Sequence, residues 1–591
     1  MNFGYGSRSS LGCSAGRRFA HLLASSILVA TSSATSAQTA PPPPPPQPQP
    51  QVLPPTREEV TPPATPLPRA APRLEVEGGI ERAPCALDNP EYRSIHFVLR
   101  GVEFDGLQGL TREQIASAYT PYVGRDVPIS VVCEIRDRAG TMLRNAGYIA
   151  ALQVPEQKIR DGTIRFRVLM AHLTQVRVRG DATGAERIIA GYLNQLTKEP
   201  VFNRYDAERY LLLASDLPGY TVRLTLRPAG TAPGEVVGDV TVQRTPAFVD
   251  FNVQNGGSQS LGPWGGLLRA QLFGLTGLGD RTAFSLFSTS DFHEQQTVQV
   301  AHDFRVGPQG LSIGDTFTYA WARPSIGPNA RVLAKTLLNS FEVGYPIVRR
   351  QAETMRGSVG LDVVNQDVSL NHIKLTRDRL RVGFLRFGLD ATATDFSDAR
   401  YSAAEPPWRV SNVLELRQGF HGLGATNCGA LAVNCLGPGE VPPSNLEGHS
   451  DATVLRYTGY GELRPIPRLT LALGARAQYA WKPLLSFEEF SAGNYTIGRG
   501  YDPGSLLGDR GWGTQAEVRF GSRVPVSAKR PAIEGYGFWD HAQVHSLTRL
   551  VTVAGSQHLD SAGGGARIAF DRFALDAVLA FPLTRIGLDN K

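Results

Sequence analysis

From about residue 248 to residue 582, apolar and polar residues alternate in runs of eight to fourteen, with turn residues between them. "TAFSLFSTSDF", "LNSFEVGYPIV", "LRVGFLRFGLDATA", "TVLRYTGYGELRP" and "LTLALGARAQYAW" are examples. A period of two over that length predicts strands with an apolar face toward lipid and a polar face toward a lumen. Strands of a soluble sandwich are nearer about five or six residues. The runs therefore predict a transmembrane antiparallel β-barrel, with Phe, Tyr and Trp near strand ends forming its interfacial girdles. Roughly fifteen strands are readable, whereas single-chain bacterial barrels have even counts and about sixteen are expected. "FALDAVLAFPLTRIGLDNK" carries one strand ending near Pro582, so either a strand is uncounted elsewhere or the closing, sixteenth strand is missing from this chain.

Ahead of the barrel the period changes. A strand over 95–104 precedes a short helix over 111–119, where Thr111 and Gln114 fit a capping box. Ser130 is the expected N-cap of a second helix, and Val131, Ile135, Ala139, Met142 and Ala146 share one face of it. Gly147 stops that helix, and strands over 149–154 and 163–169 follow. The β-α-α-β-β order then repeats: strand 173–178, helices 185–196 and 205–215, strands 221–226 and 236–243. Each module has about 75 residues, small but able to hold a core.

The N-terminus is built differently. Arg8, Arg17 and Arg18 precede a short apolar run, residues 19–31, and small residues up to Ala37. This is the pattern of a secretory signal peptide, and the run is too short to span a bilayer. Cleavage is expected after Ala37, with Ala34 as the alternative. Residues 41–72 contain 15 prolines in 32 positions. Such a tract lacks amide donors and apolar bulk and is expected to stay extended. The expected domains are residues 1–37 signal peptide, 38–82 proline-rich disordered linker, 83–171 first module, 172–245 second module and 246–591 barrel.

Charge and composition narrow the function. The 591 residues carry 60 basic and 54 acidic side chains, a net charge of +6. No basic run points to nucleic acid. No HExxH, GxSxG or P-loop occurs, so neither an enzyme nor a nucleotide site is expected. No cofactor and no metal are expected either. Beyond Cys13, four cysteines fall in two groups by proximity, Cys85 with Cys133 and Cys428 with Cys435. An oxidising compartment favours two disulfides, free thiols being the alternative. Neither group has the spacing of a zinc site.

Several stretches together carry a resemblance. "VPEQKIRDG" (154–162), "RYLLLASDLPGYTV" (209–222), "GLGDR" (277–281) and "FSAGNYTIGRGYDPG" (490–504) are similar to segments of the outer-membrane transporters of two-partner secretion, the hemolysin-activator family. The two modules resemble that family's polypeptide-transport-associated (POTRA) domains. The resemblance spans roughly residues 83–583. It implies a monomer in the outer membrane of a Gram-negative bacterium, with its modules in the periplasm. It also implies a secreted client, an adhesin or hemolysin-like exoprotein, and lipid around the barrel. An assembly factor that inserts other barrels is the alternative, although such proteins usually carry more modules. Family members often begin with an amphipathic helix that plugs the pore. Here proline follows the cleavage site almost directly, so the plug is absent or the tract partly occupies the lumen.

The resemblance also gives residues a role. "IGRGY", Ile497, Gly498, Arg499, Gly500 and Tyr501, matches the tip of a loop that folds back into the lumen. The glycines permit a tight turn. Phe538 and Asp540 match a Phe-x-Asp pattern on the barrel wall, and Asp540 is the expected bidentate partner of Arg499. The phosphate-binding alternative for "GRGYDPG" lacks the strand-to-helix context that chemistry needs. An unfolded client is expected to add as a strand to a module edge, with edges and helix faces around Tyr205–Tyr220 as candidates.

Overall fold

A computed structural model describes residues 55–61, 73–76 and 85–586, with breaks at 93, 160, 233, 328–329, 395–399, 526, 528–529 and 550–554. The expected signal peptide and most of the proline-rich stretch lie outside the described residues. Two pieces of that stretch are regular, which corrects the disordered-linker expectation for them. They are a one-turn helix α1 (Arg57–Val60) and a strand β1 (Arg73–Val76). Local chemistry explains α1. Thr56 and Glu59 form a reciprocal capping box, which satisfies amide donors that so short a helix leaves open.

The first module contains β2 (His96–Val98), β3 (Gly101–Asp105), α2 (Arg112–Ile115), β4 (Asp126–Pro128), α3 (Val131–Asn145), β5 (Ala150–Gln153) and β6 (Thr163–Met170). The single strand expected over 95–104 is two strands. The Leu99 amide donates to Arg125 O and the Arg100 amide to Gly162 O, so the backbone changes partners there. β2 then pairs with β4, and β3 runs parallel to β6. Thr111 and Gln114 make the capping box of α2. Ser130 stands at the N-cap position of α3, as expected, but without a capping bond, and its backbone is already helical. Gly147 adopts φ +91° just past α3, a left-handed turn that favours glycine.

The second module holds β7 (His172–Gly180), α4 (Glu186–Leu193), α5 (Arg204–Ser215), β8 (Tyr220–Pro228) and β9 (Glu235–Arg244). Its sheet has the order β1-β8-β9-β7. Ile188, Ile189, Tyr192 and Leu193 of α4 and Leu211 and Leu213 of α5 pack over Val222, Leu224, Leu226 and Val240. Each such burial stabilises by about 1.5–3 kcal/mol. This module is fastened to the barrel. Arg349 donates to both carboxylate oxygens of Asp216, at 2.6 and 2.8 Å. In the Leu217-Pro218-Gly219 turn, a Cβ on Gly219 would stand 2.6 Å from the Phe273 ring.

The barrel wall begins with β10 (Ala247–Gln254), β11 (Gly265–Phe273), β12 (Arg281–Thr289), β13 (Gln295–Val306) and β14 (Leu311–Ala322). It continues through β15 (Val332–Arg349), β16 (Glu353–Leu370), β17 (Ile373–Thr392), β18 (Trp408–Gly419), β19 (Thr453–Ile466) and β20 (Leu469–Ala480). A small hairpin, β21 (Phe490–Ala492) and β22 (Leu506–Gly508), interrupts the meander. β23 (Arg510–Gly521), β24 (Ala532–His545), β25 (Ser556–Phe570) and β26 (Phe573–Pro582) complete one 15-stranded sheet, every neighbour pair antiparallel. β10 and β26 are its two ends among the described residues. The alternation is plain in β24. Glu534, Tyr536, Phe538 and Asp540 are buried, while Ile533 and Trp539 lie exposed on the other face. Among the described residues no helix is long and apolar enough to cross a membrane.

Candidate functional site: two arginine clusters in the lumen

The 29 residues between β20 and β23 form the loop that carries "IGRGY". Its stem is the β21–β22 hairpin, and its core is Phe490, Ala492, Ile497, Tyr501 and Leu506 packed on Ala542, Val544 and Leu559 of the wall. Burying this apolar patch turns the loop inward. Gly498 sits at φ +120°, a conformation L side chains rarely adopt, and a Cβ there would meet Leu559 Cδ1 at 2.7 Å. Gly500 has no such dihedral. It is needed for closeness, since a Cβ would stand 2.9 Å from the Pro582 nitrogen. The Tyr501 hydroxyl lies 2.8 Å from Asp560 O and 2.6 Å from Thr584 O.

Arg499 lies at the tip, its side chain 13 % exposed. Nε donates to Asp540 Oδ2 at 3.0 Å and Nη2 to Asp540 Oδ1 at 2.6 Å, a bidentate fork. The Arg499 backbone amide also donates to Asp540 Oδ2 at 3.0 Å. The guanidinium stacks over Phe538, 3.6 Å from the ring centroid, a cation–π contact. Nη1 reaches Glu517, which Arg519 and Arg567 also contact. Asp540 has full burial, and among the described residues its other contact is the Ser561 hydroxyl at 3.3 Å.

A second cluster stands on β16, β18 and β19, and sequence reasoning did not name it. Arg417 is fully buried and donates to Glu488 at 2.7 and 3.0 Å, to Glu415 at 2.8 Å and to Asp362 at 2.9 Å. Arg456 adds a bond to Glu488 at 2.9 Å. Glu488 belongs to the base of the same loop, so this cluster holds the stem as Arg499 holds the tip. The signal was present in "LELRQ". Glu415 and Arg417 are two apart in a strand, so both face inward.

Helix α1 docks on this second cluster. Arg57 donates to Asp362 at 2.6 Å and to Glu488 at 3.3 Å. Glu58 pairs with Arg476 at 2.8 Å. Val60 is fully buried among Ala320, Leu338, Val364, Leu380, Val382, Leu485 and Phe487. Gln295 and Gln366 of the wall donate to Glu59 O at 2.7 Å and Pro55 O at 3.1 Å. The proline tract therefore does put a capped turn into the lumen, which among the described residues is one turn long. Toward the second module the lumen opens into a cavity of about 1310 Å3, with Arg281, Asp303, Arg305 and Arg349 on its wall.

The cysteines stand apart from this site. Cys85 is bonded to Cys133, tying the segment before β2 to α3, and Cys428 to Cys435 within the segment between β18 and β19. Among the described residues no group of three or more His, Cys, Asp or Glu is placed to hold a metal.

Comparison with known proteins agrees with this architecture. The model of the haemolysin secretion/activation protein ShlB/FhaC/HecB family matches residues 237–556, and that of the ShlB-type POTRA domain matches 97–170. The heme/hemopexin transporter protein HuxB of Haemophilus influenzae strain 86-028NP is 21% identical over 499 residues, 82% of each chain. CdiB from Escherichia coli superposes with a TM-score of 0.66 at 16% identity, over 85% of this chain and 90% of that one. CdiB from Acinetobacter baumannii gives 0.57 at 15% identity, over 84% and 88%. The chain belongs to the ShlB/FhaC/HecB haemolysin secretion/activation family, and it is an outer-membrane transporter of two-partner secretion that exports an exoprotein through its barrel, with its POTRA modules in the periplasm.

Proposed function

We propose that this transporter works as a monomer on one large client, an adhesin or hemolysin-like exoprotein. The client arrives unfolded in the periplasm, is held by the modules, and passes through the lumen after α1 has left it. The loop stays pinned at its tip by Arg499, Phe538 and Asp540, so the lumen keeps one fixed wall while the rest clears. No nucleotide motif occurs in the sequence, and folding of the client outside supplies the direction. The name carried by the Haemophilus relatives supports a haem- or hemopexin-directed exoprotein as a further client class.

The observation that carries this reading is the separateness of the two lumen parts. The loop tip is tied to the wall by a fork that no other cation among the described residues shares, whereas α1 borrows acids that Arg417 already holds. The test compares culture supernatants by mass spectrometry. Strains carry the intact gene, a deletion, or Arg499→Ala at matched membrane levels. One large β-rich protein should vanish from the medium of both altered strains while other barrels stay normal. A broad fall in outer-membrane proteins with an unchanged supernatant would instead make the chain an assembly factor.

A further inference from the structure

β20 and β23 flank the loop, and the outer face of the wall beside them is built unlike its lumen face. Strand direction alternates from β10, which leaves the second module, so Ala480 of β20, Arg510 of β23 and His545 of β24 stand at the end away from the modules. Side chains alternate across the wall. Gln478 and Val544 face the lumen, where Gln478 donates to Glu488 O at 2.9 Å and Val544 packs on the loop. Their neighbours Tyr479 and His545 therefore face outward. Register carries that outer face across the sheet: Arg510 lies opposite His545, Trp512 opposite Ala477 and Gln543, and Tyr457 opposite Ala477.

These outward side chains enclose a cavity of about 450 Å3, lined by Tyr457, Tyr479, Arg510, Trp512, Gln543 and His545. Trp481 stands edge-on to Tyr479, with ring centroids 5.0 Å apart. Amphipathic rings at this level belong to the interfacial belt of a membrane protein. The arginine among them needs its own explanation. Its guanidinium lies over the Tyr479 ring, 4.0 Å from the centroid, and Nε donates to Ala480 O at 2.9 Å. Those two contacts fix the plane of the group and leave Nη1 and Nη2 open. Among the described residues neither nitrogen bonds to the protein, and the cavity lining carries no carboxylate. Toward the middle of the wall, β20 and β23 turn Ala475, Ala477, Thr514 and Ala516 outward, so hydrocarbon can lie close along the strands there.

We propose that this cavity binds a phosphorylated lipid of the outer leaflet, and that the bound lipid braces the neck of the loop. The phosphate takes the open edge of the Arg510 guanidinium, with the His545 ring and the Gln543 amide as further donors. A planar fork matches two phosphate oxygens, and a fixed cation without a counter-charge at the membrane surface attracts an anionic headgroup. An acyl chain lies between Tyr457 and Trp512. The site coincides with the neck, because Ala480 and Arg510 are the wall residues at either end of the loop and bond to each other. On the lumen side Gln478 holds the same neck through Glu488 O and Asp509 O, at 2.9 and 3.2 Å. Lipid on Arg510 adds the hold from outside, so the loop is fully braced only where that leaflet surrounds the barrel.

The probe is diphosphoryl lipid A, titrated into the full-length protein in detergent and followed by native mass spectrometry. The same lipid stripped of its phosphates should bind the parent at least tenfold more weakly. Arg510→Gln should lose at least tenfold in affinity for the phosphorylated lipid and nothing for the stripped one, with Arg510→Lys between. Saturating lipid should slow proteolysis within residues 481–509 at least fivefold in the parent and leave Arg510→Gln unchanged. Equal affinity of the parent for the two lipids overturns the proposal, and that arm needs no variant to fold. Parent-like binding by Arg510→Gln, shown to be folded by its heat-modifiable mobility, overturns it as well. Displacement of the lipid by an equimolar amount of inorganic phosphate would make this a site for a free anion, which also overturns it. Proteolysis of the parent at the same rate with and without lipid would overturn the brace.

Discussion

Arg499 and Arg57 both reach into the lumen and both bind two carboxylates, yet they are held in opposite ways. Arg499 belongs to a loop anchored at both ends to the wall, and Asp540 depends on it for a counter-charge. Arg57 belongs to seven described residues with proline on either side, and both its acids, Asp362 and Glu488, are already paired to Arg417. Losing Arg499 strands a buried carboxylate. Losing Arg57 strands nothing. On the transport cycle proposed above, the same ion-pair chemistry serves one permanent fixture and one removable occupant, and the difference lies in who else shares the acids.

The largest effect should come from the arginine that holds the loop stem and shares its acids with α1. Arg417→Met leaves Asp362, Glu415 and Glu488 close together without their main cation. Breaking a buried pair by deleting one partner costs about 3–5 kcal/mol. The folded barrel, followed by its heat-modifiable mobility on SDS gels, should unfold at a clearly lower temperature. The variant should also free the loop stem, seen as new protease cuts there, while α1 stays protected because Arg57 then has Asp362 and Glu488 with one cation fewer competing for them. New cuts around α1 would break the comparison.

Arg499→Ala comes next. Asp540 stays buried without a counter-charge, keeping only the backbone amide of residue 499 and the Ser561 hydroxyl as hydrogen-bond partners among the described residues. The cost falls toward the lower end of about 3–5 kcal/mol, because the lumen is wet. The loop tip should become protease-sensitive and export should drop below a tenth, while protease sensitivity around α1 is unchanged. Arg499→Lys should fall between the two, since an ammonium keeps the charge but not the planar fork. A lysine variant indistinguishable from the parent would mean that charge alone holds the tip.

Much of this was legible in advance, for physical reasons. Strand alternation and signature segments depend on residues close in sequence, so the barrel, the paired modules and the family could be read directly. "IGRGY" and "GFWD" are local patterns too, which is how Arg499, Phe538 and Asp540 came to be named before their contacts were known. The second cluster joins residues 57, 362, 417 and 488, and no local pattern links them. Pairing across a barrel is decided by register accumulated over several strands. The one-turn helix was hidden for another reason. Proline density argued for an extended tract, but "TREEVT" inside it carries a capping box and one apolar residue, enough once a lumen supplies the partners. β1 was missed likewise, since four residues make a strand only when an edge is waiting.

Val60→Ala probes the apolar half of the removable part. Val60 is fully buried in the lumen, and losing two methyl groups there should weaken docking of α1 by about 1.5 kcal/mol. Single-channel recordings in planar bilayers should show more frequent openings, with the same conductance when open. Unaltered opening frequency would mean that the segment is held by its charges alone.

Arg57→Ala is the mildest change and the sharpest test of the contrast. Arg57 is partly exposed, and its acids keep Arg417 when it goes, so the loss should be no more than about 1 kcal/mol. Thermal stability of the barrel should stay as in the parent, unlike Arg417→Met. Export should also stay within about twofold, because a client must displace α1 in any case and a weaker hold, by less than RT ln 10, shifts that step only modestly. Idle channel openings should increase by a few-fold. If Arg57→Ala instead stopped export as completely as Arg499→Ala, the segment would be a working part of the conduit, since an occupant that merely leaves cannot be missed.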